Sequence, residues 1–154
     1  MKRKTGLERV TGSRQQEENI MLKQVSIFAE NSKGTMQKIT GILAQEEINI
    51  WGSVTNDSAE YGIIRMVVSE PEKALEALRK AGYLAQLNEV MGVEVEDKVG
   101  NLNSLLLAFS DSNINVNYIY LSFNRNSGKP VLVFHTEDIW EAEDCIKAKG
   151  FSVI

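Results

Sequence analysis

The sequence predicts an α+β protein made of two βαββαβ modules, each an antiparallel sheet with both helices on one face. Two observations carry the prediction. The apolar pattern of the first half recurs in the second at a nearly constant offset, and within each copy strand-like and helix-like spacings follow in the same order. With Gly34 placed on Gly100 the offset is 66. Met36, Ile39 and Leu43 then fall on Leu102, Leu105 and Phe109, and Ile48-Asn49-Ile50 falls on Ile114-Asn115-Val116. Beyond residues 56–62 the offset becomes 68, aligning Met66 with Phe134, Ala74 with Ala142, Leu78 with Ile146 and Gly82 with Gly150. The gap falls in a predicted surface turn, where insertion is tolerated.

Each element has a local reason. Val25, Ile27 and Ala29 alternate as a strand does, and Gly34 opens a stretch with apolar residues at 36, 39, 42 and 43, the spacing of an amphipathic helix. Residues 48–56 and 61–69 read as a hairpin around Asn56-Asp57-Ser58. Ser69 and Glu72, with Pro71 between them, read as a capping box that starts a second helix. Ala74, Leu75, Leu78 and Ala81 give that helix one buried face, and Gly82 supplies its stop. A short strand from Tyr83 to about Val90 closes the first unit. The second unit ends in a very short strand, Phe151 to Ile154, which reads as a blunted edge or as one completed by another chain. Two right-handed crossovers joined by a hairpin place both helices on one face of each sheet. A unit of this size buries roughly 60% of its unfolded surface and is marginal alone, so the copies are expected to pair edge to edge or face to face.

Charge separates a leader from this body. Residues 1–20 hold five basic and three acidic side chains, leaving twelve basic and eighteen acidic residues beyond them and a net charge near −6 for the body against −4 for the chain. Residues 1–21 therefore read as a disordered leader or tag, 22–88 as module one and 89–154 as module two. The leader lacks the apolar run of a secretory signal, no stretch approaches the ~18 apolar residues of a membrane span, and one cysteine cannot form an internal disulfide framework. The chain reads as cytoplasmic, with no membrane and, given its acidic body, no nucleic-acid partner. Tyr118 and Tyr120 share a strand face that Phe123 does not, which suits interface packing better than a base-stacking platform.

Catalysis is poorly supplied. His135 is the only histidine and falls at a strand end, Cys145 falls mid-helix, and neither has partners at metal-ligand or nucleophile spacing. No phosphate-binding glycine motif occurs, and no cofactor is expected. Glu70, Glu72, Glu137 and Asp138 gather at helix starts, where capping accounts for them. An acylphosphatase reading fails because both strand-to-helix loops lack arginine.

Those two loops are the candidate binding feature. Copy one has Glu30-Asn31-Ser32-Lys33-Gly34 and copy two Glu96-Asp97-Lys98-Val99-Gly100. Each glycine lets backbone approach a ligand or a neighbouring strand, or simply makes the turn, and the helix start behind it offers unpaired N–H groups suited to a carboxylate. Asn31 supplies a donor and an acceptor, and Asn49, opening the next strand, is expected to converge on the same pocket.

With its Asn31-x-x-Gly34 loop, the helix bearing Met36, Ile39 and Leu43, and Ile48-Asn49-Ile50, repeated through 89–154, the chain resembles the ACT domain family. The resemblance implies two ferredoxin-like ACT modules, a non-catalytic regulatory role, and a small molecule, commonly an amino acid, bound at a module interface near the first strand–helix loop. It implies Asn31, Ser32, Gly34, Thr35, Asn49 and Ile50 as ligand-binding in copy one and Asp97, Gly100 and Asn115 in copy two. Serine-sensing members carry a histidine where this chain has Ala29 and Val95, and copy two replaces the loop asparagine with Asp97, so the two sites should differ in preference or copy two serve as scaffold. The resemblance also implies a homodimer. A second reading is a ligand-free interaction module acting on a separate metabolic enzyme.

Overall fold

A computed structural model describes residues 21–56 and 61–154. The expected leader and the tip of the first hairpin, with Asp57 and Ser58, lie outside the described residues. The elements are β1 (Leu22–Glu30), α1 (Thr35–Gln45), β2 (Ile50–Asn56), β3 (Tyr61–Val68), α2 (Pro71–Lys80), β4 (Leu84–Glu94), α3 (Asn101–Asp111), β5 (Val116–Phe123), β6 (Pro130–Thr136), α4 (Ile139–Ala148) and β7 (Ser152–Val153). Strand order is β2-β3-β1-β4-β6-β5, with β7 also beside β4 and every pairing antiparallel.

The two βαββαβ modules share β4. Its first half pairs with β1, from Leu84 opposite Phe28 to Val90 opposite Leu22, and its second half pairs with β6, from Met91 opposite Phe134 to Glu94 opposite Val131. The strand expected to end near Val90 therefore runs straight into the first strand of the second copy. Asn88-Glu89-Val90-Met91 contains no glycine or proline to turn the chain, so the strand changes partners without breaking. The short β7 is completed within the chain, against Val93 and Glu94.

Helices and sheets form four layers. α1 and α2 cover one face of the first sheet, burying Ile39, Leu43, Ala74 and Leu78 against Val25, Ile27 and Met66. α3 and α4 do the same for the second, where Phe109 meets Phe134 edge to face at 4.8 Å. The opposite faces of the two sheets pack on each other through Val67, Val90, Tyr120, Val131 and Val133. Pairing is thus face to face, with β4 as the shared strand. Backbone approach is closest at Gly52, where an added Cβ would lie 2.9 Å from the Leu121 carbonyl oxygen.

The duplication extends to unusual backbone geometry. Gly34 and Gly100 start their helices at φ 86° and 87°, Gly82 and Gly150 follow theirs at 91° and 86°, and Glu47 and Asn113 share left-handed values of 59° and 56°. Trp51 and Asn117, also 66 apart, are the residues skipped where β2 and β5 bulge against their partners.

Two local expectations change. Ser69 does not cap α2: the N-cap residue is Glu70, without a side-chain cap, and the Ser69 hydroxyl instead accepts from the Asn49 N–H at 2.9 Å. A strand-start amide competes for that oxygen. In copy two Asp138 does cap, accepting from the Glu141 N–H at 3.0 Å. Gly34 and Gly100 are needed for left-handed φ and not for close approach, because nothing lies within 4 Å of a Cβ at either.

Candidate functional site

The β1–α1 loop folds into a polar recess at the C-terminal end of β1. Ser32 N–H donates to the Glu30 carbonyl at 2.9 Å, Thr35 N–H to the Ser32 carbonyl at 3.2 Å, and the Ser32 and Thr35 hydroxyls lie 2.8 Å apart. Asn31, Ser32, Thr35 and Met36 line a cavity of about 90 Å³ with Asn56 and Gly62 of the facing hairpin. α1 begins behind it with no side-chain cap and no acidic residue in its first turn. Gly34 shapes the loop without lining the cavity.

Asn49 and Ile50 are not part of this recess. β2 runs parallel to β1, because α1 carries the chain back before β2 starts, so Asn49 stands beside Ser69 at the other end of the sheet. The six residue steps of β2 separate the two ends by about 20 Å. Asn31 and Asn49, expected to converge, therefore face different surroundings.

The second copy repeats the loop and not its chemistry. Lys98 N–H donates to the Glu96 carbonyl and Asn101 N–H to the Lys98 carbonyl, reproducing the first loop's turn. Asp97, Asn101 and Leu102 border a wider recess of about 380 Å³ against Ile119, Leu121 and Phe123. The Asn101 side chain donates to the Glu96 carbonyl at 2.9 Å, tying the loop to its own helix. Lys129 holds the Glu96 carboxyl below its ordinary pKa by a hydrogen bond of 2.7 Å. Asn115 stands at the far end of this module, donating to Asn117 at 3.3 Å. Gly100, like Gly34, only opens its helix.

A larger cavity contains none of the expected ligand-binding residues. It opens between the modules at the N-terminal end of β1 and has a volume of about 610 Å³. Trp51, Val67, Ser69 and Glu72 line it from module one, Phe123 and Arg125 from module two. Lys23 hydrogen-bonds Glu72 across its rim and lowers that carboxyl's pKa. The bulge at Trp51, visible only in the pairing register, is what turns its indole to this mouth.

His135 and Cys145 occupy structural positions. The His135 ring stacks on Tyr118 at 5.3 Å and its Nδ1 lies 2.9 Å from Asn117 Nδ2, while the Cys145 thiol donates to Ser112 at 2.7 Å. Among the described residues no group of three or more His, Cys, Asp or Glu side chains gathers as a metal site, and no helix is long and apolar enough to cross a membrane.

Two βαββαβ modules, joined through a common strand and carrying recesses at their first strand–helix loops, define a tandem α+β module of the ferredoxin-like kind. The chain belongs to the ACT domain pair family, whose model matches residues 20–154. Among solved structures it is similar to protein BT0572 from Bacteroides thetaiotaomicron, at 28% identity over 88% of this chain and 92% of that one, with a TM-score of 0.80. It also shares its fold with the ligand-free regulatory subunit of aspartate kinase from Thermus thermophilus, at 14% identity over 84% and 93% of the chains and a TM-score of 0.61. The regulatory subunit of aspartate kinase from Thermus flavus is similar at 17% identity over the same shares, with a TM-score of 0.59. No curated protein matches the chain.

Proposed function

We propose that this ACT pair is a non-catalytic regulatory sensor that binds a small amino acid at the β1–α1 loop of module one. The observation that carries the reading is the recess itself. Asn31, Ser32 and Thr35 converge on one cavity, with the uncapped start of α1 beside it. Helix-start N–H groups suit the ligand carboxylate, and the Asn31, Ser32 and Thr35 oxygens suit its ammonium. The recess of about 90 Å³, roughly three water volumes, suits the polar head of a small amino acid. Asp97 would repel a carboxylate at the equivalent place in module two, so the reading assigns binding to module one.

The reading includes a homodimer formed through module two. Leu102, Leu106, Leu107 and Leu121 are exposed on α3 and the open edge strand β5, where module one has Met36, Thr40, Gly41 and Thr55. An apolar patch beside unpaired strand edges is a surface that a second copy covers well.

A thermal-shift panel of the twenty amino acids tests the ligand. Glycine, alanine or serine should raise the melting temperature of the wild type and have little effect on Asn31→Ala. If no amino acid raises it, or the variant keeps the full rise, the sensor reading fails and the ligand-free interaction module takes its place. Sedimentation of wild type against Leu121→Asp tests the dimer, which the variant should weaken.

A further inference from the structure

We propose that the cleft between the modules is a second ligand site, for a small monoanionic aromatic carboxylate. It lies at the opposite end of β1 from the loop recess and does not rest on the reading of that recess. Its volume of about 610 Å³ falls in the ordinary range for a site that engulfs a small organic molecule.

The opposite end of the seam is closed. Across the pseudo-equivalent end of the seam, Arg65 sits over the Tyr118 ring at 4.1 Å and His135 stacks with that ring at 5.3 Å and 9° between planes. That cation–aromatic stack fills the space between the sheets. By the 66- and 68-residue offsets, Tyr118, His135 and Arg65 correspond to Gly52, Val67 and Val133. Of these, only Val67 lines the cleft; Gly52 lets β2 approach β5 closely and Val133 is buried in the seam.

The lining then specifies what fits. Trp51 and Phe123 are exposed aromatic rings, at 37% and 55%, with Val67, Val68 and Val131 forming an apolar floor. Among the described residues, Lys23, Glu72 and Arg125 bring charged side chains to the lining, and Lys23 is paired with Glu72. Among the described side chains Arg125 is the remaining cation of the lining, which suits a carboxylate. Arg125 makes no ion pair with any described residue and only approaches the Ile50 carbonyl, at 3.5 Å. Its guanidinium offers a planar fork to a carboxylate. The hairpin that carries it is well held: Asn124 donates to Glu94 at 2.5 Å and its Oδ1 accepts from the Asn126 N–H at 2.9 Å. The arginine is thus presented over the cleft by a braced turn. A flat ring against Trp51 with its carboxylate on Arg125 supplies, from outside, an aromatic–cation pairing like the one that Arg65 of module one makes with Tyr118 of module two.

The chain has two tryptophans, so Trp140→Phe leaves Trp51 as the reporter. Titration of this variant with 2-naphthoate should quench Trp51 saturably, and the neutral 2-naphthamide should bind at least roughly tenfold more weakly, the loss expected for a charge-assisted hydrogen bond. Adding Arg125→Gln should abolish that preference while the melting temperature of the free protein stays unchanged. Absence of saturable quenching, equal affinity for acid and amide, or a preference that survives Arg125→Gln would each overturn the proposal. Naphthyl phosphate binding more tightly than the carboxylate would also overturn it, because it would show a site for a dianion.

Discussion

The Tyr120 hydroxyl donates to Gln24 Oε1 at 2.8 Å, across the seam between the two modules. The same amide donates through Nε2 to the Tyr118 hydroxyl at 2.8 Å and to the Ser26 hydroxyl at 3.0 Å, and the Ser26 hydroxyl donates to Asn88 Oδ1 at 2.6 Å. Gln24 is fully buried, and its amide is satisfied only when the second module is docked in this register. The seam is therefore specified by polar pairing as well as by valine packing.

Gln24→Leu leaves the buried Tyr120 hydroxyl without its acceptor and should cost about 1–3 kcal/mol in chemical denaturation. Combined with Tyr120→Phe, the double variant should be more stable than the sum of the single losses predicts by at least about 0.5 kcal/mol. Simple additivity would show that the bond contributes nothing across the seam.

Burial raises the Tyr120 pKa above its ordinary 10.0, with Tyr118 adding to the rise and Arg65 opposing it. The folded state thus holds the proton that the unfolded state releases near pH 10. Stability from this group is fully present below about pH 10 and is lost as pH rises further. Melting temperature should fall from about pH 10 upward, and less steeply in Tyr120→Phe. Parallel curves for the two proteins would remove Tyr120 from the alkaline response.

Gly52 and Gly41 should respond oppositely to alanine. A Cβ on Gly52 would meet the Leu121 carbonyl oxygen at 2.9 Å and the Ser122 Cβ at 3.1 Å, backbone and short side chain that cannot swing away. Gly52→Ala should cost about 1–3 kcal/mol by forcing the sheets apart. Gly41 lies within α1, where a Cβ meets only the end of Gln37 at 3.6 Å, so Gly41→Ala should add about 0.4–1 kcal/mol. Equal effects in thermal melts would show that the β2–β5 approach is not tight.

The repeat was legible because its marks are local. Helical spacing at Ile39 and Leu43, and left-handed glycines at 34, 82, 100 and 150, depend on residues within one turn of chain. Competition between distant groups was not legible. Ser69 has the spacing of a cap for α2, yet Asn49, twenty residues away in sequence, takes its hydroxyl. Of the predicted site residues, Asn31, Ser32 and Thr35 meet because they are neighbours in one loop. Asn49 does not join them, because strand direction, rather than residue type, decides which end of the sheet it occupies.

By itself the sequence determined two βαββαβ units, their element order and their turn chemistry, since periodicity and glycine placement act over a few residues. Only the tertiary structure decided that β4 would serve both modules, that the sheets would pack face to face around Gln24 and Tyr120, and that a cleft would open beside Trp51 and Arg125. Those outcomes depend on strand partners and opposing side-chain volumes that lie up to about a hundred residues apart, as Gln24 and Tyr120 do at a separation of 96. A pattern with a period of two or four residues carries no record of which distant face it will meet.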